Sequence, residues 1–218
     1  MNGLGAEGQL EAVLMQARQR SLVGGLPISA QVAHSEGFLR ALLLEPFDGP
    51  VLELGSGGGL PGLVMAVEDR DLRLVLVDSA RRSVEFLRWA VEELELSSRV
   101  EIVHARAELV GRDERYRGGF GAVLARSFAP PAVTAECAAP LLVVGGRLIV
   151  SEPPAKDVGA GGPIALSRWP VEGCAELGLT PELNLRDRFG FAVLRQTSPC
   201  PDRFPRRTGI PAKRPLFA

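Results

Sequence analysis

The sequence predicts an α/β fold, a mostly parallel, doubly wound sheet with an antiparallel hairpin at its C-terminal edge. Three observations predict it. Apolar runs of strand length alternate with segments of helical periodicity from Val51 to Ser151. One of these runs, in Val51–Gly62 (VLELGSGGGLPG), passes from strand into a glycine loop and then into a helix. Finally, Leu183–Arg188 and Phe191–Gln196 are two short strand-like runs joined through Phe189-Gly190, which is the signal of a hairpin.

The elements follow in order. Gln9–Arg20 places Leu10, Val13, Leu14 and Ala17 on one side of a helix, which Gly24-Gly25 and Pro27 end. A second helix, about Ala33–Leu44, leads to the turn Glu45–Pro50. Both helices precede the first strand, so residues 1–50 are expected to form a helical cap or lid. Strand one is Val51–Leu54, followed by the glycine loop and a helix over Leu63–Glu68, with Pro61 suited to the first helical position. Strand two, Arg73–Asp78, is apolar throughout its core, as a parallel strand covered on both faces requires. Helix Arg81–Leu96 spaces Val84, Leu87, Val91 and Leu94 on one face, with Glu92, Glu93 and Glu95 between. Val100–His104, Ala122–Ala125 and Arg147–Ser151 read as strands three to five, with a polar loop over Arg112–Gly119 and a helix over Pro130–Leu142. Gly145-Gly146 is expected to turn the chain into strand five. Lys156–Ser167 is glycine-rich and expected to be mobile, and a short helix is expected near Val171–Leu177. Residues 51–197 form the binding domain of this scheme. The tail, residues 198–218, carries five prolines and the basic cluster Arg203, Arg206, Arg207, Lys213 and Arg214, and is expected to be irregular.

Composition narrows the function classes. The chain has 218 residues, 46% hydrophobic and 23% charged, with a net charge of −1, so it can bury a substantial core and has no global basic signal for nucleic acid. The three cysteines, Cys137, Cys174 and Cys200, are widely spaced and form no CxxC pair, which argues against a disulfide framework and a zinc site. No run approaches the roughly 18 apolar residues of a membrane span, and a soluble, cytoplasmic protein is expected.

In doubly wound sheets ligands bind beyond the carboxyl ends of the strands. Polar residues end every strand here: Glu53, Asp78-Ser79, the segment Ala105–Glu108, Arg126-Ser127 and Ser151-Glu152. Five glycines among residues 55–62 exceed what a tight turn needs and let a ligand approach bare backbone. The spacing admits two readings. Gly57–Gly62 satisfies the GxGxxG fingerprint of a dinucleotide site, with Asp78 where a ribose-binding acid belongs. The register Glu53-x-Gly55-x-Gly57-x-Gly59 instead resembles the first motif of class I S-adenosylmethionine-dependent methyltransferases. Glu53 separates them, because a carboxylate there repels a pyrophosphate but suits the ammonium of the sulfonium cofactor. The terminal hairpin favours the same choice.

Further along, LGSGGGLPG, VDSARRSVEFLRWAVEEL, HARAEL and LARSFA follow one another, and the chain ends in RFPRRTGIPAKRPL. In this combination the sequence resembles the bacterial 16S rRNA guanine-N7 methyltransferases, also known as glucose-inhibited division protein B. The resemblance runs from about Val51 to the C-terminus and implies a Rossmann-like class I methyltransferase with S-adenosyl-L-methionine as cofactor and 16S rRNA, in the small ribosomal subunit, as partner. It implies that Gly55 and Leu60 line the methionine side of the cofactor, with Ser56, Gly57 and Gly59 in the same loop and Glu53 beneath its aminoacyl end. Asp78, with Ser79 beside it, would hold the ribose. Ala107 and Glu108 would flank the adenine, and Arg126 would stand between cofactor and substrate as the catalytic residue. Two departures stand out. The approach to strand one is short, with only Ala33-His34-Ser35-Glu36 matching the family's Arg-His segment. Where many members carry Leu-Lys-Gly after strand five, this chain has Ser151-Glu152-Pro153, a carboxylate in place of a lysine suited to RNA phosphate. Glu152 is expected at the mouth of the site, accepting hydrogen bonds from a base, and Arg206 and Lys213 are expected to meet RNA backbone. His104 reads as a packing residue, since N7 methylation asks for no proton transfer. Other readings remain: a same-fold methyltransferase of a small molecule or another RNA, an NAD-binding oxidoreductase, or a non-catalytic cofactor- or RNA-binding module.

Overall fold

The computed structural model describes residues 5–153, 168–186 and 188–217; the glycine-rich stretch Lys156–Ser167 lies outside the described residues. A seven-stranded sheet forms the centre. Its strands are β1 (Val51–Leu54), β2 (Leu74–Asp78), β3 (Val100–His104), β4 (Phe120–Ala125), β5 (Leu142–Glu152), β6 (Leu179–Arg186) and β7 (Gly190–Gln196), in the order β3-β2-β1-β4-β5-β7-β6. Strands β1 to β5 pair in parallel, and β7 runs antiparallel between β5 and β6. Strand order reverses between β1 and β4, so the crevice for a ligand opens there, beyond Leu54 and Ala125. This is the doubly wound sheet with an antiparallel edge that the alternation and the hairpin signal predict.

Helices cover both faces. On one lie α1 (Ala6–Gln19), α2 (Ile28–Leu43), α3 (Gly62–Glu68) and α4 (Arg81–Glu93), which share a single core. Leu10, Leu14 and Ala17 of α1 and Phe38 and Leu42 of α2 are buried in it with Leu63, Met65, Phe86 and Leu87. The two N-terminal helices are therefore built into one layer of the sandwich instead of resting on it as a lid. Their apolar stripes leave no other choice, because large buried side chains such as Phe38 contribute roughly 1.5–3 kcal/mol each only when fully covered. On the other face lie α5 (Ala107–Val110), α6 (Pro131–Ala138), a 3-10 turn (Ala139–Leu141) and α7 (Val171–Ala175). Among the described residues no helix is long and apolar enough to cross a membrane.

Two strand boundaries differ from expectation for identifiable reasons. Gly145-Gly146 does not precede β5 but lies inside it, where the register with β4 shifts between Phe120 and Ala122. Gly145 takes φ +91°, and a side chain on Gly146 would press on the carbonyls of Phe120 and Val143, so both positions form the irregularity. β6 begins four residues early and contains Pro181, which is tolerated because β6 is an edge strand.

The tail is irregular as expected apart from one short helix, α8 (Ile210–Lys213), but it is packed: Phe204 is buried in the second core. Arg117, in the loop before β4, donates to the carbonyls of Cys200, Pro201 and Phe204. Arg206 makes a two-pronged ion pair with Glu136 of α6, at 2.8 and 2.6 Å, and its backbone N–H donates to the same carboxylate. Glu136 is 0% exposed, so Arg206 is its counter-charge and not a free cation for RNA. A proline-rich segment cannot satisfy itself by helix or ladder bonds; here arginines and carboxylates of the domain satisfy it.

Removing one partner of a buried ion pair leaves the other uncompensated. Arg206→Ala is expected to lower the free energy of unfolding by about 3 kcal/mol, read from the midpoint of urea denaturation.

Candidate active site

The glycine loop takes its shape from what lies beneath it. Glu53, pointing down from the middle of β1, accepts the N–H of Gly62 through Oε2 at 2.9 Å. A side chain on Gly62 would collide with that oxygen and with Leu76, so only glycine lets α3 start this close to β1. Gly55 turns away from the strand with φ +69°, and the N–H groups of Gly55 and Ser56 both bond to the carbonyl of Val77. Asp78, at the end of β2, accepts the N–H of Gly57 through Oδ2 and that of Ala80 through Oδ1, each at 2.8 Å. Its carboxylate thus ties the loop to the start of α4 and keeps unused lone pairs on both oxygens.

Glu53 itself does not reach the crevice. It is 0% exposed, and burial pushes its carboxyl up to about 8, so it is neutral at physiological pH. The expectation that it faces the charged end of a cofactor is corrected on this ground; it supports the loop from below. Its Oε1 is buried with no partner.

Two adjoining cavities open beyond β1 and β4. The first is lined by Gly55, Ser56, Gly57, Gly58 and Leu60 from the loop, with Leu22–Gly24 and Leu26 from the α1–α2 connection above. A side chain on Gly58 would lie 2.5 Å from Val23 and 3.0 Å from the Leu22 carbonyl, so this roof sits directly on the glycine loop. Gly59 is turned inward against Leu63 and does not line the cavity. The second cavity is walled by His34, Phe128, Trp169 and Phe189, with Arg168, Arg188 and Glu152 around it.

Arg126, just past β4, lines both cavities together with Ser127. Ser127 holds φ +53°, a conformation that a non-glycine residue adopts at a cost and that turns Arg126 and Phe128 toward the crevice. The Nη2 of Arg126 donates to Oε1 of Gln31 at 2.9 Å, and Gln31 in turn donates to the carbonyls of Gly24 and Leu26. Arg126 is thereby joined to the roof of the first cavity. Its Nη1 is buried and has no partner among the described residues. An unpaired buried donor costs about 1–3 kcal/mol, more when charged. Burial, reinforced by Arg126, pushes His34 down to about 4, so its ring is neutral.

The other expected residues are placed differently. Ser79 is exposed beside Asp78, and its carbonyl lies 3.3 Å from Nε2 of His104, which is itself exposed and not packed. Ala107 and Glu108 open α5 beyond β3 and are buried, and the Glu108 carboxylate accepts the N–H of Gly209 in the tail through Oε1 at 2.8 Å. Both Glu152 oxygens are taken, Oε2 by Arg168 at 2.6 Å and Oε1 by the indole N–H of Trp169 at 2.9 Å. Glu152 is buried at the cavity edge and braces those two residues; it is not an open acceptor for a base. Lys213 is exposed on α8. Sequence reasoning missed Gln31, the Leu22–Leu26 roof, Phe128 and Arg168, none of which stands in a strand-end pattern.

A parallel sheet in the order 3-2-1-4-5 extended by an antiparallel 7-6 pair, with a glycine loop after β1 and an acid ending β2, defines the class I methyltransferase fold. Cofactor-bound Rv0187 from MTB shares it with a TM-score of 0.58 at 18% identity, over 87% of this chain and 90% of that one. Geranyl diphosphate C-methyltransferase from Streptomyces coelicolor, solved with S-adenosyl-L-homocysteine, does so with 0.53 at 14%, over 74% and 77%. A sequence model of the rRNA small subunit methyltransferase G family matches residues 39–152. The ribosomal RNA small subunit methyltransferase G of Rubrobacter xylanophilus is 36% identical over 212 residues, 94% of this chain and 81% of that protein. The chain belongs to this family.

Because Glu53 is protonated in the folded chain and ionised in the unfolded one between about pH 4.5 and 8, the unfolded chain binds fewer protons there and stability falls as pH rises. Glu53→Gln keeps an acceptor for Gly62 and removes that loss. Its stability at pH 8 is expected to exceed the parent's by more than about 1 kcal/mol, with the gap closing toward pH 5, as followed by denaturation across the range.

Proposed function

We propose that the protein transfers a methyl group from S-adenosyl-L-methionine to N7 of a guanine in 16S ribosomal RNA of the small subunit, in the cytoplasm. Family membership supports the reaction class, and Arg126 is the observation that carries the site assignment: a buried guanidinium with one unpartnered nitrogen at the junction of two cavities. The first cavity fits the cofactor. Gly55, Ser56, Gly57 and Leu60 line it and would take the methionine portion; Asp78 and Ser79 at the end of β2, and Ala107 and Glu108 at the start of α5, lie outside its lining and would meet the ribose and the adenine as the family resemblance implies. The second cavity, aromatic on several sides, takes the target base.

When bound, S-adenosyl-L-methionine supplies a methyl on a sulfonium, whose C–S electron pair stays with sulfur as the thioether product leaves. Guanine N7 offers a lone pair and carries no proton, so the protein needs no general base and its work is alignment. Arg126, fixed by Gln31 on one nitrogen, stands at the junction of the two cavities, where it would orient a bound base against the cofactor. The rings of Phe128, Phe189 and His34 can hold a base by stacking, and His34, neutral, adds no charge against the cation that the methylated base becomes. The roof Leu22–Leu26, tied to Arg126 through Gln31, covers the glycine-loop side of the junction. Glu53 is a positioning residue of the loop, Glu152 braces the second cavity, and Arg206 locks the tail; Lys213 remains exposed and suited to RNA backbone.

Labelled methyl is expected to pass from S-adenosylmethionine to 30S subunits that lack native guanine-N7 methylation, and to map to a guanine N7. Arg126→Ala is expected to reduce transfer at least about a hundredfold while S-adenosylhomocysteine still binds. Cofactor binding without transfer to 30S subunits would redirect the search to small-molecule acceptors.

A further inference from the structure

We propose that Arg168, gripped by Glu152 on the lining of the second cavity, which Arg188 also lines, is the phosphate contact for the target nucleotide. The inference rests on the reading of that cavity as the base site.

The end of β5 carries a carboxylate, Glu152, and an open carboxylate there would repel an RNA backbone. The structure changes the sign of that position. Glu152 is buried, and its Oε2 accepts from Nη1 of Arg168 at 2.6 Å, so its charge is spent inside the protein. Trp169 takes the other oxygen, which fixes the 168–169 backbone against β5. The Arg168 side chain remains 45% exposed and lines the cavity, so a guanidinium that uses one prong among the described residues stands there. Arg188 is exposed on the same cavity, over the Phe189 ring at 5.4 Å. With Arg126 at the floor and His34 neutral, the cavity's described charged lining is three arginines and the one carboxylate that Arg168 already satisfies.

The combination selects a ligand chemistry. Aromatic faces of Phe128 and Phe189 suit a planar base, and guanidinium groups at the rim suit a phosphate, whose oxygens match the fixed fork of donors. A nucleotide turned out of an RNA strand presents these two parts a few ångströms apart. Glu152 restricts the rotamers of Arg168, so little side-chain entropy is lost when a phosphate arrives. The carboxylate that looks wrong for RNA in the sequence is therefore the device that aims the cation.

Steady-state methyl transfer to unmethylated 30S subunits across a salt series tests this, with binding of guanosine 5′-monophosphate and of guanosine measured by titration as a second arm. Arg168→Gln is expected to raise KM for the subunits about tenfold, with the loss concentrated in KM, and to flatten the salt dependence by about 0.7–1 in log–log slope. Arg168→Lys, which keeps the charge, is expected to restore the slope. S-adenosylhomocysteine affinity should move less than twofold in both, which reports that the cofactor side is intact. The parent is expected to bind the monophosphate at least about fivefold more tightly than the nucleoside, a preference that Arg168→Gln abolishes. An unchanged slope and an unchanged preference in Arg168→Gln would overturn the assignment. If the parent fails to methylate 30S subunits yet shows a monophosphate preference that depends on Arg168, the ribosomal substrate falls and the phosphate contact stands. Absence of any such preference together with absence of transfer overturns both.

Discussion

The hydrogen bond between the Glu53 carboxyl and the N–H of Gly62 is the contact on which the rest of the site depends. It closes the strand–loop–helix unit from below, in a space where Gly62 leaves no room for a side chain. With the floor fixed, the loop N–H groups of Gly55 and Ser56 can share the Val77 carbonyl, and Gly57 can reach Asp78. Burial makes Glu53 neutral, so the support comes from an uncharged carboxyl and from close packing, not from an ion pair. The crevice is thereby left free of the negative charge that the sequence places beneath it.

The same economy runs through the upper half of the site. Arg126 is reached from β4, Gln31 from α2, and the carbonyls of Gly24 and Leu26 from the connection between α1 and α2. Arg126 is 95 residues from Gln31, yet one chain of hydrogen bonds couples the roof to the arginine. Buried polar networks of this kind hold geometry only when their members are satisfied. One nitrogen of Arg126, Nη1, is left buried without a partner among the described residues.

Arginines do most of the long-range fastening in this protein. Arg117 and Arg206 hold the tail, Arg168 answers Glu152, and Arg147, buried in β5, donates to the carbonyls of Leu42 and Glu45 at the end of α2. The planar five-donor guanidinium suits carbonyl clusters at helix and loop ends better than lysine does. This explains how a chain of net charge −1, with no global basic signal, still lines one cavity with three arginines. The charge that matters is placed locally and the sum conceals it.

Much of the fold was legible in the chain. The strand starts and ends at Val51–Leu54 and Val100–His104, the helix starting at Arg81 and the antiparallel hairpin follow from periodicity and glycine placement, because those signals act within a few residues. The loop and Arg126 were legible as positions on the crevice for the same reason: in a doubly wound sheet the strand ends define it. Partner choice was not legible. Glu53, Glu108, Glu152 and Arg206 all look like free polar groups in the sequence, and each is consumed by a contact 9 to 101 residues away. The layer formed by α1 and α2, the packed tail and the aim of Arg168 belong to the same category. The sequence by itself determined the sheet, the glycine loop and the family, through local pattern; only the tertiary structure decided which charges face the crevice, since burial and counter-charge are set by segments that meet only when the chain is folded.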